Sequence, residues 1–294
     1  MICINCGQST QSLYVTYSSD HIKLTDCAKC GEVVDCYVEF DNILLFIDLL
    51  LLKREAYKHL VFNSLETELS KFEKNKEDKG SSSIAQRLRS WCSRNDRLNR
   101  LWIIILAFEI YLTWVLEEQR SHFLKTSLQD TSWTCMEDVL QKTSLEQYSF
   151  FSFYCFMDLM LFRYFTERLL LSHLQWGKEY KYAGDIISYT ILLSYGAKIF
   201  PVLMLIWPYD SAASTFIIKG VANLYIIEAL RMVTNKSYSH IFTLFVAVCI
   251  LKSICIKALI CLLVSGFNIG VSIELMKRDY QAASHKISSL LLSQ

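Results

Sequence analysis

Two copies of one short element, Cys3-Ile4-Asn5-Cys6-Gly7 and Cys27-Ala28-Lys29-Cys30-Gly31, constrain this chain more than any other feature. A CxxC turn brings two thiolates to one ion, and the glycine after it supplies the open backbone that such a turn needs. Together the turns complete a tetrahedral set, Cys3, Cys6, Cys27 and Cys30. Between them, Leu13-Tyr14-Val15-Thr16-Tyr17 and His21-Ile22-Lys23-Leu24 read as short strands around a Ser18-Ser19-Asp20 turn. The pattern predicts a β zinc ribbon over residues 1–40. So small a fold has little core of its own, and structural zinc contributes about 10–16 kcal/mol in comparable peptides. With all four places taken by cysteine the site is closed, so Zn2+ is expected to be structural and not catalytic. A redox reading fits less well, because neither CxxC follows a strand in a βαβ unit. His21 and Asp26 form an HxxxxD string of the kind some acyltransferases use. It lies inside the zinc loop with no pocket expected around it, which favours coincidence.

Most of the other cysteines are of another kind. Cys155, Cys249, Cys255 and Cys261 sit in apolar runs, where a free cysteine behaves as a small hydrophobe. Hydrophobic residues make up 52% of the 294 residues and charged residues 20%, which fits a polar part joined to a membrane part. Only two prolines and nine glycines occur, which favours long helices over a turn-rich barrel. Nucleic acid is not an expected partner: the net charge is +1, and Glu32, Asp35 and Glu39 crowd the exit of the ribbon. The chain enters its first cysteine pair with no signal peptide before it, so the N-terminus is expected in the reducing cytosol.

Asp41 can cap a helix running from Asn42 to about Asn63. Its apolar run, Ile43 to Leu52, is too short to cross a bilayer and is interrupted by Asp48. At helical spacing Asp41, Asp48, Glu55, His59 and Asn63 share one azimuth, while Leu, Ile, Phe and Tyr occupy the other faces. The pattern predicts an amphipathic interfacial helix over 41–63, its polar stripe turned towards water or the ribbon.

Here a family resemblance becomes specific. The two CxxCG knuckles are followed by Asp35-Cys36-Tyr37-Val38-Glu39-Phe40-Asp41-Asn42, then Ile47-Asp48-Leu49-Leu50-Leu51-Leu52-Lys53, then Tyr57-Lys58-His59-Leu60-Val61-Phe62-Asn63. These blocks, in this order over about residues 1–65, closely resemble the homology domain of the Arv family in its fungal form. The resemblance implies an endoplasmic-reticulum membrane protein of sterol homeostasis. It also implies effects on sphingolipid metabolism and on early glycosylphosphatidylinositol synthesis. Composition and spacing show none of these roles by themselves.

Residues 64–100 change character to a charged cytosolic linker, with Arg87, Arg89, Arg94, Arg97 and Arg100 placed to hold the loop on the positive, cytosolic side. Residues 101–264 then read as a helical membrane domain of four to five spans, and 265–294 as a C-terminal tail. The span candidates are 101–116, 148–165, 186–207, 215–233 and 241–264; the fourth is the weakest, since it holds Lys219, Asn223 and Glu228. The whole is expected to be a mainly α, polytopic helical membrane protein carrying a small β zinc ribbon.

Glu109, Asp158, Lys198, Lys219, Glu228, Lys252 and Lys257 lie in these segments. A charge at mid-span costs roughly 2.5–3.5 kcal/mol on insertion scales, so such groups turn to the bundle interior or to one another. Glu109 or Asp158 with Lys252 or Lys257 are the expected pairs. Asp48, His59, Glu109, Asp158, Lys252 and Lys257 are accordingly the candidates for contact with lipid or partner. Two functions remain open on these grounds. One is a non-enzymatic protein that handles sterol and related lipids and docks other endoplasmic-reticulum membrane proteins. The other is a membrane enzyme, or a subunit of one, acting on lipid or glycosylphosphatidylinositol precursors.

Overall fold

The computed structural model describes residues 1–18, 21–74, 96–127, 143–178, 180, 182–196 and 212–264, with residues 139, 270, 273 and 277. It is mainly helical, with one two-stranded sheet. Strands β1 (Tyr14–Ser18) and β2 (His21–Leu24) pair antiparallel, Tyr14 opposite Leu24 and Thr16 opposite Ile22, with a bulge between Thr16 and Ser18. The helices are α1 (Asn42–Leu50), α2 (Arg54–Lys58), α3 (Leu65–Lys74), α4 (Asp96–Ser127), α5 (Ser144–Ser172), α6 (Ala183–Tyr195), α7 (Ala212–Thr234) and α8 (Tyr238–Val264). The chain divides into two compact units, Met1–Ile105 with Glu167–Phe245, and Leu106–Thr166 with Val246–Gln294.

The single helix expected over 42–63 is broken. α1 stops at Leu50, and Leu52 adopts a positive φ of 56° that turns the chain into α2. A leucine in that region carries a penalty of about 1–2 kcal/mol. Packing offsets it, because Leu52 and Leu49 lie against the buried cluster of Tyr57, Ala229 and Met232. From His59 to Ser64 the helix widens to π geometry before α3. The linker expected from Ser64 therefore opens as ordered helix, with Leu65 and Leu69 buried.

In the first unit, α2 is the hub. Its Ala56 packs with Ile4 and Tyr37 of the ribbon, while Tyr57 packs with Ala229 and Met232 of α7. The hydroxyl of Tyr225 donates to the Leu50 carbonyl at 2.9 Å, fastening α7 to the end of α1. The expected third span begins as α6, but 197–211, with Pro201, lies outside the described residues. α7 and α8 are joined by a tight turn at Asn235, whose φ of 53° suits asparagine.

In the second unit, α4 and α5 meet through the Trp114 Nε1–H bond to Gln147 at 3.2 Å and the Cys155 thiol bond to Thr113 at 3.6 Å. Among the described residues one helix, over Tyr238–Leu263, is long and apolar enough to cross a membrane. Its outward side chains include Phe242, Ile250 and Ile254, each more than half exposed.

Candidate functional site

The two knuckles are built alike, because the same five-residue element repeats. Cys3 N–H donates to the Gln8 carbonyl and Cys27 N–H to the Glu32 carbonyl, both at 2.8 Å. Gly7 and Gly31 close the turns onto the Cys3 and Cys27 carbonyls at 2.9 Å with φ of 75° and 74°. Any side chain at either glycine would be strained in that conformation. Each knuckle is then held by an antiparallel bridge, Ile2 with Ser9 and Asp26 with Val33.

This geometry brings the four sulfurs within 4.8 Å of one another. Cys3 Sγ stands 3.8 Å from Cys30 Sγ, and Cys6 Sγ stands 3.6 Å from Cys27 Sγ. Four sulfurs about 2.3 Å from a tetrahedral zinc are about 3.8 Å apart. The set therefore fits a metal ion of that size. Its electrostatics ask for a cation as well. Backbone N–H groups of Cys30 and Lys29 pull the Cys27 thiol down to about 6. At Cys30 the Glu32 N–H acts in the same direction, but burial and the sulfurs of Cys27, Cys3 and Cys6 outweigh it and push the thiol up to about 12. Four thiolates cannot share this volume without a positive charge among them. Cys3 and Cys27 are buried with Leu13 and Val34, while Cys6 and Cys30 face outward.

Behind the knuckles lies a polar joint. Asp35 is fully buried. Its Oδ1 accepts the Tyr37 N–H at 3.1 Å, and its Oδ2 accepts from His59 Nδ1 and from Asn63 Nδ2, both at 2.7 Å. Asn63 also accepts the Ile2 N–H at 2.8 Å and donates to the Ile2 carbonyl at 3.0 Å. In effect its amide pairs with Ile2 as a neighbouring strand would. The wider π turn makes this possible: His59 and Asn63, one turn apart, converge on a single carboxylate oxygen. Asp48 is buried too, accepting from the Tyr37 hydroxyl at 2.8 Å and pairing with Lys53 at 2.8 Å. Those two partners hold its carboxyl below the usual carboxylate range. Lys58 donates to the carbonyls of Ile4 and Asn5 at 2.8 and 3.2 Å, on the back of the first knuckle.

Asp48, His59 and Asn63 of the polar stripe thus meet the ribbon, while Asp41 at the start of α1 is exposed. The outward face of α1 is apolar, with Ile43, Leu44, Phe46 and Ile47 exposed and Leu51 just beyond it. In the second unit, Lys252 of α8 reaches Asp158 of α5 at 2.9 Å, its ammonium 5.6 Å from the Phe162 ring centroid. Lys257 is exposed and Glu109 half-buried. His21 and Asp26 are both exposed on the ribbon. The sequence placed Asn63 on the polar stripe and Asp35 among the acidic residues at the ribbon exit, but it did not mark Asp35, Tyr37 and Asn63 as buried partners of one another.

The Arv1-like family model matches residues 2–230. A protein from Eremothecium gossypii named Protein ARV1 is 52% identical over 272 residues, 91% of each chain. The Protein ARV1 of Saccharomyces cerevisiae is 45% identical over 320 residues, covering 99% of this chain and 100% of the relative. That of Candida albicans is 32% identical over 287 residues, 91% of each. No solved structure matches. With the four-cysteine centre, the joint behind it and these matches taken together, the chain belongs to the Arv1-like family.

Proposed function

We propose that this protein is a multi-pass membrane protein of the endoplasmic reticulum that mediates sterol distribution and homeostasis without catalysing a reaction. Its effects on sphingolipid metabolism and glycosylphosphatidylinositol synthesis would follow from that role. Zn2+ held by Cys3, Cys6, Cys27 and Cys30 is structural and keeps the ribbon folded. The ribbon faces the cytosol, and α1 lies in the membrane interface with its apolar face towards lipid.

One observation carries this reading. α1 turns the carboxylate of Asp48 to Tyr37 of the ribbon and leaves Ile43, Leu44, Phe46 and Ile47 outward, in a chain that also holds a membrane-length helix. A soluble helix packed on a ribbon would show the reverse. Ion pairs such as Asp158–Lys252 suit a bundle of spans, where a buried charge needs a partner.

The test is rescue of a fungal cell lacking its own family member. Wild-type chain restores the ratio of plasma-membrane to endoplasmic-reticulum sterol, and Cys27→Ser does not, when both reach equal abundance. A wild-type chain that reaches the endoplasmic reticulum and leaves sterol distribution unrestored overturns the proposal.

A further inference from the structure

Ala222, Ile226, Ala229 and Leu230 of α7 are buried, so one side of that helix is already packed. The other side is open. Leu224 is 65% exposed, and Gly220 meets no atom within 4 Å of the place a Cβ would take. Asn223 is exposed as well. It is the central residue of the 23-residue helix, and among the described residues its amide makes no hydrogen bond. Other polar side chains in these helices are satisfied within their own helix. The hydroxyls of Thr166, Thr190 and Thr234 each donate to a carbonyl one turn earlier, at 2.7 to 2.8 Å. Glu228 and Arg231, further along α7, pair with one another at 2.8 Å. Asn223 stands apart from this pattern. The spacing of Gly220, Asn223 and Leu224 is i, i+3, i+4, which sets them on one stripe of the helix.

With α7 in the membrane, an amide at mid-helix has neither water nor a polar lipid group to bond, and leaving it unpaired is costly. A second helix removes that cost. Asparagine bonds across helix pairs in membranes, and a glycine beside it lets the two backbones approach. The chemistry also selects the occupant. An amide carries donors and an acceptor, so it is complementary to another amide. Two copies of one chain inserted the same way are related by a two-fold axis along the membrane normal. That axis brings each residue of a facing stripe to its own counterpart at the same depth. A different protein would have to place a matching polar group there, whereas a second copy supplies it by symmetry. We propose that this protein forms a homodimer through the outward stripe of α7, the Asn223 amides of the two copies exchanging hydrogen bonds and Gly220 admitting the facing helix. This rests on the multi-pass reading given above.

The full chain is co-expressed in fungal cells with two different tags and a benzophenone amino acid at Leu224. Irradiating native membranes should join the two tags. In lipid vesicles at low protein density, fluorescent wild-type chain should bleach in two steps. Asn223→Leu should weaken the dimer about tenfold, and Asn223→Gln, which keeps the amide, should retain it. Bound zinc and helicity report folding; Gly220→Leu, which blocks close approach and leaves the amide, serves if Asn223→Leu does not fold. Single-step bleaching of the wild type, or a dimer indifferent to both substitutions, overturns the proposal. A crosslink from position 224 to lipid alone, or to a different membrane protein, overturns the homodimer and leaves the multi-pass reading standing. Release of the chain from membranes by alkaline carbonate overturns both.

Discussion

Asn63 uses both amide hydrogens and its oxygen within the joint, on Asp35 and on the two backbone groups of Ile2. Replacing it by alanine strands buried backbone groups and one lobe of a buried carboxylate. Asn63→Ala should therefore cost about 3 kcal/mol, seen as a lower melting temperature and earlier proteolysis between the ribbon and α2. Unchanged melting would mean that the joint is not stabilising. Asp48 makes a pH-dependent contribution of definite sign. Its folded pKa lies below the unfolded value because of Lys53 and Tyr37. That stability is complete above the ordinary carboxylate range, about pH 4, and is lost as pH falls through the lower folded pKa. Asp48→Asn should melt below the wild type by a constant margin from pH 8 to 5, and the margin should shrink under pH 4. A margin that grows on acidification would contradict the sign.

At the scale of elements, the break at Leu52 matters most. A continuous helix would carry α1 and α2 along one axis, and the stripe could not reach Tyr37 and Asp35 together. The turn frees α1 to place its apolar face outward while α2 stays between ribbon and α7. A benzophenone amino acid at Phe46 should crosslink to lipid in native membranes, and one at Ala56 should crosslink to protein. The opposite pattern would remove α1 from the interface. The repeat length, turn glycines and strands of the ribbon were all readable, since each follows from local chemistry. The break was not, because nothing in the run Leu49-Leu50-Leu51-Leu52 is a helix breaker and only packing against α7 favours it. The π turn was hidden for the same reason: it exists to let His59 and Asn63 share one oxygen of Asp35.

For the molecule as a whole, the ribbon, α2 and α7 form one chain of contacts, so a metal held by the four cysteines would act beyond the knuckles. One zinc per chain is expected by elemental analysis. Its removal by a chelator should expose the joint and raise hydrogen exchange in α2 as well as in the ribbon. Exchange confined to the ribbon would show the two to be independent. In the second unit, Asp158→Lys should lower the melting temperature, a loss of about 2–3 kcal/mol for an unpaired charge in an apolar setting. Asp158→Lys with Lys252→Asp together should recover most of it. A double variant no better than the single would dissolve the pair.

The sequence by itself determined the four-cysteine set, the ribbon around it, the helical class and the short list of charges from which the Asp158–Lys252 pair came. All of these depend on spacing within a few residues or on composition. Tertiary structure alone decided which polar groups turn inward. A stripe of five polar residues can face water or a partner equally well, and the choice fell to a buried carboxylate contributed by the ribbon. It likewise brought Leu52, Val221 and Phe242 to one surface, because they are distant in sequence and meet only through the packing of α7 on α2 and the turn at Asn235 into α8.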